Sequence, residues 1–150
     1  MRLFEEKINI VLADDDRDEY DLFKEAVSEI NENYNLVFFP NGKELIDYLN
    51  SEEITDPDII FLDLNMPFMS GIDCLRLIRA NEKYSDTAIA IYSTSSAEQD
   101  QEDTFTLGAN VYIKKPNDYA AMKKVLQHIF KTYWQYHTSD MNRDTFLISV

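Results

Sequence analysis

Ile8-Asn9-Ile10-Val11-Leu12-Ala13-Asp14-Asp15-Asp16 runs from an apolar stretch straight into three carboxylates, and Asp58-Ile59-Ile60-Phe61-Leu62-Asp63 repeats the pattern further along the chain. A short, nearly continuous apolar run reads as a strand buried on both faces, which is the habit of parallel sheets. Working outward, Ile8–Ala13, Leu36–Phe39, Asp58–Leu62, Ala88–Tyr92 and Val111–Ile113 read as five strands. Between them lie stretches of helical period. Asp18–Ile30 carries Leu22, Phe23, Ala26, Val27 and Ile30 on one face, and Leu45, Ile46 and Leu49 mark a short helix after the turn signal Pro40-Asn41-Gly42. Ile72–Arg79, Ala97–Leu107 (stopped at Gly108, a typical helix cap) and Asp118 to about Tyr133 complete five helices. Strand and helix in strict alternation predict a doubly wound α/β domain with a five-stranded parallel sheet. In such sheets the ligand site lies at the carboxyl ends of the strands, near the switch in winding order.

Composition narrows the function. The 150 residues fit one domain, and 45% hydrophobic content supplies a real core. The longest apolar runs fall far short of a membrane span of about 20 residues, and Met1–Lys7 does not resemble a signal peptide. Cys74 is the single cysteine, so the expected compartment is a reducing cytoplasm. The net charge of −14 repels nucleic-acid phosphates, so direct DNA binding is not expected. The same charge suits a divalent cation or a basic partner, or serves only solubility.

The carboxyl ends of the strands gather a particular chemistry. Asp14 and Asp15 follow the first strand, Asp63 the third, Ser93 and Thr94 the fourth, and Lys115 the fifth. Two unit charges about 4 Å apart repel by roughly 4 kcal/mol at an effective dielectric of 20. Lys115 offsets one charge, and a divalent cation with oxygen-only ligands, Mg²⁺ or Mn²⁺, would offset two. A carboxylate beside such a cation and a lysine is a competent nucleophile toward phosphorus. The plainer reading, acidic helix caps and loop residues, is preferred for Asp16 and Asp18.

The ordered set Asn9–Asp15, Phe61-Leu62-Asp63-Leu64-Asn65-Met66-Pro67, Met69-Ser70-Gly71, Gly108-Ala109-Asn110 and Tyr112-Ile113-Lys114-Lys115-Pro116 resembles a response-regulator receiver domain, a member of the flavodoxin-like folds, over about residues 8–133. The resemblance implies a phosphorylation-switched module of a two-component phosphorelay, with Asp63 as phosphoacceptor. It implies Mg²⁺ held by Asp14, Asp15, Asp63 and the backbone carbonyl of Asn65. Ser93 takes the switch hydroxyl position, Lys115 pairs with phosphoryl oxygens, and Tyr112 is the aromatic that turns inward on activation. The implied donor is a phosphohistidine on a sensor histidine kinase or phosphotransfer protein, and the implied output is a changed surface for a downstream protein. By this resemblance the chain catalyses only its own phosphorylation and slow dephosphorylation. Thr94 stands where small residues are frequent and, with Asn65, is expected to modulate dephosphorylation. A cis Lys115–Pro116 peptide is also expected, as the family usually has.

Residues 1–133 are thus expected to be the domain and 134–150 a tail. The tail's Trp134, Tyr136 and Phe146-Leu147-Ile148 make it either a frayed terminus or a segment packed on the domain or on a second subunit of a homodimer. Three rivals share parts of the pattern. An EF-hand would use Asp14, Asp16, Asp18 and Glu25, but its glycine position is Glu19 and a strand precedes it. A haloacid-dehalogenase-type phosphatase needs a second Asp where Asn65 stands. A flavodoxin-like electron carrier would draw on Ser93-Thr94-Ser95-Ser96, yet the aspartates after the first strand would repel its flavin phosphate. His128, His137 and Cys74 are not expected to do chemistry.

Overall fold

The structure, a computed structural model, describes residues 7–31, 33–132 and 146–148. Strands β1 (Ile8–Ala13), β2 (Tyr34–Phe39), β3 (Ile59–Leu62), β4 (Ala88–Ser93) and β5 (Val111–Lys114) alternate with helices α1 (Arg17–Ile30), α2 (Gly42–Leu49), α3 (Gly71–Ala80), α4 (Glu98–Leu107) and α5 (Tyr119–Thr132). A short 3-10 turn, Glu82–Tyr84, follows α3. These strands and β6 (Leu147–Ile148) pair in parallel, in the order β2-β1-β3-β4-β5-β6.

The sixth strand, β6 (Leu147–Ile148), corrects the expected count of five. It pairs with β5 through Tyr112↔Leu147 and Ile113↔Ile148. Two residues are too few to show any periodicity, which is why the pattern of the tail did not mark them as a strand. Trp134 and Tyr136, like Tyr133 and His137, lie outside the described residues.

Strand geometry sends alternate side chains to opposite faces, and that parity divides the core. Ile8, Ile10, Leu12, Ile59, Phe61, Ala88, Ala90, Tyr92, Val111 and Ile113 face α1 and α5, where Phe23, Val27, Met122, Leu126 and Ile129 close over them. Val11, Ala13, Ile60, Leu62, Ile89, Ile91 and Tyr112 face the other way, under Leu45, Leu49, Cys74, Leu75 and Ile78 of α2 and α3. Because both faces are covered, the inner strands β1, β3, β4 and β5 need apolar residues in both registers, as the sequence supplies. Helix starts are set by local chemistry: Asp16, Asn41 and Ser70 each accept a backbone N–H of their helix's first turn. Asp16 thereby takes the capping role preferred for it over metal binding. Gly42 does not sit in a free turn but opens α2, where a Cβ would run into the Met69 carbonyl oxygen and Cys74 Sγ. Gly108 ends α4 in the left-handed conformation, φ 104°.

The order β2-β1-β3 places the change of winding direction between β1 and β3. The crevice expected of such a sheet therefore opens between the residues that follow those two strands, Asp14 and Asp63.

Candidate functional site

Asp14, Asp63 and Lys115 each stand first past their strand and still bond to a neighbouring strand's backbone. The Asp14 N–H donates to Phe39 O (3.0 Å), the Asp63 N–H to Ala13 O (3.0 Å) and the Lys115 N–H to Ser93 O (2.8 Å). The sheet thus fixes these backbones, and side chains that are distant in sequence meet. Lys115 Nζ lies 2.7 Å from Asp14 Oδ2 and 3.6 Å from Asp63 Oδ2. The carboxylates of Asp14, Asp15 and Asp63 approach so that one oxygen of each lies within 4.8 Å of the others. Asp14 is fully buried and Asp63 is 6% exposed, whereas Asp15 is open to solvent. The site is a buried acid pair with one carboxylate at its mouth.

Burial decides the electrostatics. Desolvation pushes the Asp63 carboxyl up to about 6, with Asp14 adding to the rise, while Lys115 and the N–H groups of Asn65 and Leu64 oppose it. Burial alone would pull Lys115 down, but the hydrogen bond and charge of Asp14, then the charges of Asp63 and Glu19, outweigh it and hold the ammonium above its usual range. The lysine also lies over the Tyr92 ring, 5.6 Å from its centroid. Asp14 Oδ1 accepts the Asp16 N–H at 3.0 Å. Its buried Oδ2 receives the Lys115 ammonium at 2.7 Å. A buried carboxylate oxygen with spare capacity, beside two further carboxylates, is a donor set that fits a hard divalent cation.

Gly71 is required for this arrangement. Its N–H closes the loop Asn65–Ser70 onto Leu64 O (2.9 Å), and a Cβ there would run into the Asp63 carbonyl oxygen. Asn65 is exposed on that loop, and its N–H reaches toward Asp63 Oδ1 (3.5 Å). Phe68 forms the loop's tip at 84% exposure with φ 67°, in the left-handed region that bulky residues avoid.

Ser93 is fully buried, its Oγ accepting the Ser95 N–H at 3.2 Å. Thr94 is exposed beside it. Tyr112 already points inward: it is fully buried, and its hydroxyl donates to Ser95 O at 2.8 Å. The Lys115–Pro116 peptide is trans, which corrects the expected cis bond. With Lys115 N–H anchored on Ser93 O, the long side chain reaches both carboxylates from a trans backbone, and the ordinary preference of X–Pro bonds for trans, about 0.5–1 kcal/mol, goes unopposed. His128 is exposed on α5, and Cys74 is buried, its thiol pushed up to about 11 by desolvation.

Two neighbours went unread in the sequence. Tyr92 and Glu19 flank Lys115; burial raises the Glu19 carboxyl and the Tyr92 hydroxyl. Strand parity was the available signal for Tyr92, which must face opposite to Ser93. A third omission is Arg79, whose guanidinium donates to Gly108 O, Tyr84 O and Asn110 Oδ1, each at 2.8 Å. Asn110 Oδ1 also accepts the Ile89 N–H. This brace ties α3 to the turn before β5.

Residues 10–127 match the family model of the response regulator receiver domain, and the chain belongs to that family. It is therefore a phosphorylation-switched module of two-component signalling. Among curated relatives, the transcriptional regulatory protein YvrH of Bacillus subtilis is 29% identical over 94% of this chain and 57% of its own length. The transcriptional regulatory protein CpxR of Escherichia coli is 29% identical over 83% of this chain and 50% of its own. The chain thus spans about half the length of these relatives. Among solved structures, the phosphorylated cyanobacterial phytochrome response regulator RcpA superposes with a TM-score of 0.81 at 26% identity, covering 88% of this chain and 97% of that one. The Mn²⁺-bound response regulator Rcp1 gives 0.77 at 23% identity, covering 90% and 99%, and shares the fold. Receiver domains bind a divalent metal and pair with histidine kinases or phosphotransfer proteins. The phosphatase and flavodoxin readings find no support among these matches. Among the described residues, no helix is long and apolar enough to cross a membrane.

Proposed function

We propose that Asp63 is the phosphoacceptor of this chain, taking its phosphoryl group from a phosphohistidine on a sensor kinase or phosphotransfer protein. The observation that carries this is the triple contact at the sheet's switch point: Lys115 Nζ between the buried carboxylates of Asp14 and Asp63, with Asp15 at the mouth. Asp14, Asp15, Asp63 and the Asn65 carbonyl would hold Mg²⁺, with Mn²⁺ as a substitute. The bound cation would supply positive charge against the oxygens of the transferring group.

The residues do the rest. Near pH 7 a carboxyl titrating at about 6 is mostly ionised, so Asp63 presents a free oxygen nucleophile. That oxygen forms the new bond to phosphorus while the phosphorus–nitrogen bond to the donor imidazole breaks, and the ring nitrogen leaves with its electron pair and takes a proton. Lys115, held charged by its acid partners, offsets charge gathering on the phosphoryl oxygens. The product carries about −1.5 to −2 charge where one carboxylate stood. Ser93 then donates its hydroxyl to a phosphoryl oxygen, and Tyr112 holds the inward position against it, changing the surface formed by α4, β5 and α5. Asn65 and Thr94, both exposed beside the site, modulate access of the water that reverses the reaction. The chain acts on no other substrate, does not itself bind DNA, works in the cytoplasm and signals to a downstream protein, as a monomer or homodimer. Residues 1–133 are the receiver domain and 134–150 a tail that packs on it through Phe146 and β6.

The test uses acetyl phosphate and Mg²⁺ with intact-protein mass spectrometry. Wild type gains one phosphoryl mass and Asp63→Asn gains none. No gain in wild type, or an equal gain in the variant, overturns the assignment.

A further inference from the structure

We propose that Phe146 is a positioning residue of the switch, its ring holding Tyr112 inward so that strand β6 is coupled to the phosphoryl state of Asp63; this rests on the reading of Asp63 given above. The contacts form one continuous chain. The Ser93 hydroxyl, beside the site, accepts the Ser95 N–H at 3.2 Å. Ser95 O accepts the Tyr112 hydroxyl at 2.8 Å. The Tyr112 ring then meets Phe146, with centroids 6.2 Å apart, and Phe146 packs edge-on against Phe105 of α4 at 5.1 Å. Phe146 is only 5% exposed, and the next two residues pair with β5 beginning at Tyr112 itself.

Space and linkage turn this chain into a coupling. Phe146 fills a seat bounded by Tyr112 and Phe105, and that seat exists only while Tyr112 is inward. An outward Tyr112 side chain would swing toward the edge that β6 now covers. Helix α4 buries little: its cap residue Ala97 makes no side-chain bond, and Thr104 is its one fully buried residue. Phe146 supplies an aromatic clamp from the strand edge to that helix. When the Ser93 hydroxyl turns to a phosphoryl oxygen, Ser95 and the hydroxyl of Tyr112 are the next groups to adjust. Any ligand that favours inward Tyr112 must therefore tighten β6, and β6 must favour that ligand by the same factor.

The experiment uses the full chain with Mg²⁺ and beryllofluoride, a mimic of the phosphoryl group. It reads two quantities: the apparent affinity for beryllofluoride and the hydrogen-exchange rates of the residue 147 and 148 amides. Coupling of ordinary size is roughly fivefold or more. We expect the mimic to slow exchange at 147 and 148 by about that factor, Phe146→Ala to weaken beryllofluoride binding by about the same factor, and Phe146→Tyr to restore it. A purely structural Phe146 would change neither the mimic's affinity nor the response to it. Unchanged affinity in Phe146→Ala, or exchange at 147 and 148 indifferent to the mimic, overturns the coupling and leaves Asp63 as acceptor intact. Failure of wild type to bind the mimic at all overturns both.

Discussion

Replacing Asp63 with asparagine is expected to stabilise the fold in the absence of divalent cations, and to do so in a pH-dependent way. Burial lifts the Asp63 carboxyl from 3.8 to about 6. The folded state therefore holds that proton over a range where the unfolded chain has lost it. A carboxyl raised in this sense costs nothing below the unfolded value, and its penalty grows as pH rises from about 4 through 6. About two pKa units at 1.36 kcal/mol each set the full penalty near 3 kcal/mol at pH 7, falling to about 1 kcal/mol near pH 4.5. The variant removes the charge but buries an amide and takes one partner from Lys115, so a gain of about 1–3 kcal/mol is expected near neutrality. Urea denaturation in a chelator, run at both pH values, measures the gap. Wild type should be the less stable protein near pH 7, and the difference should shrink at the lower pH. A variant less stable than wild type at neutrality, or a gap independent of pH, refutes the claim that Asp63 is an electrostatically strained carboxylate.

Other changes probe the remaining parts. Lys115→Ala strands two buried carboxylates, Asp14 and Asp63, without their counter-charge; a loss of roughly 3 kcal/mol by chemical denaturation is expected, partly recovered by adding Mg²⁺. Arg79→Ala removes two hydrogen bonds from α3 to the turn before β5 and a third to Tyr84 O, and should lower stability by about 3 kcal/mol without changing phosphorylation by acetyl phosphate. Phe68→Asn places a residue tolerant of the left-handed region at the loop tip, where φ is 67°, and should raise the melting temperature through about 1 kcal/mol of relieved strain.

What the sequence made legible follows from how each feature is encoded. Buried parallel strands require apolar runs, so β1, β3 and β4 stood out with boundaries within a residue of those observed. The site was legible because position along a strand fixes position at the sheet edge: Asp14, Asp63 and Lys115 each fall just past a strand end, and the ladder brings them together. Features that depend on tertiary encounters left weaker traces. Arg79 looked like the polar end of a helix, and only the fold brings Gly108, Tyr84 and Asn110 to its guanidinium. The pairing of Leu147 with Tyr112 needs an edge that five strands leave open, and two residues carry no period. The Lys115–Pro116 peptide is trans, and the ammonium reaches the site from that backbone. Pro40-Asn41-Gly42 carries a turn signature, but Asn41 caps α2 and Gly42 opens it, where Met69 and Cys74 approach closely.

The claim on which the rest depends is that one cation-dependent pocket around Asp63 accepts the phosphoryl group. Peptide mapping after phosphoryl transfer, with and without a chelator, tests it most directly. The phosphoryl group should map to the peptide carrying Asp63 and disappear when divalent cations are removed. A modification that maps to His128 or to another aspartate, or one that persists in the chelator, would contradict the account.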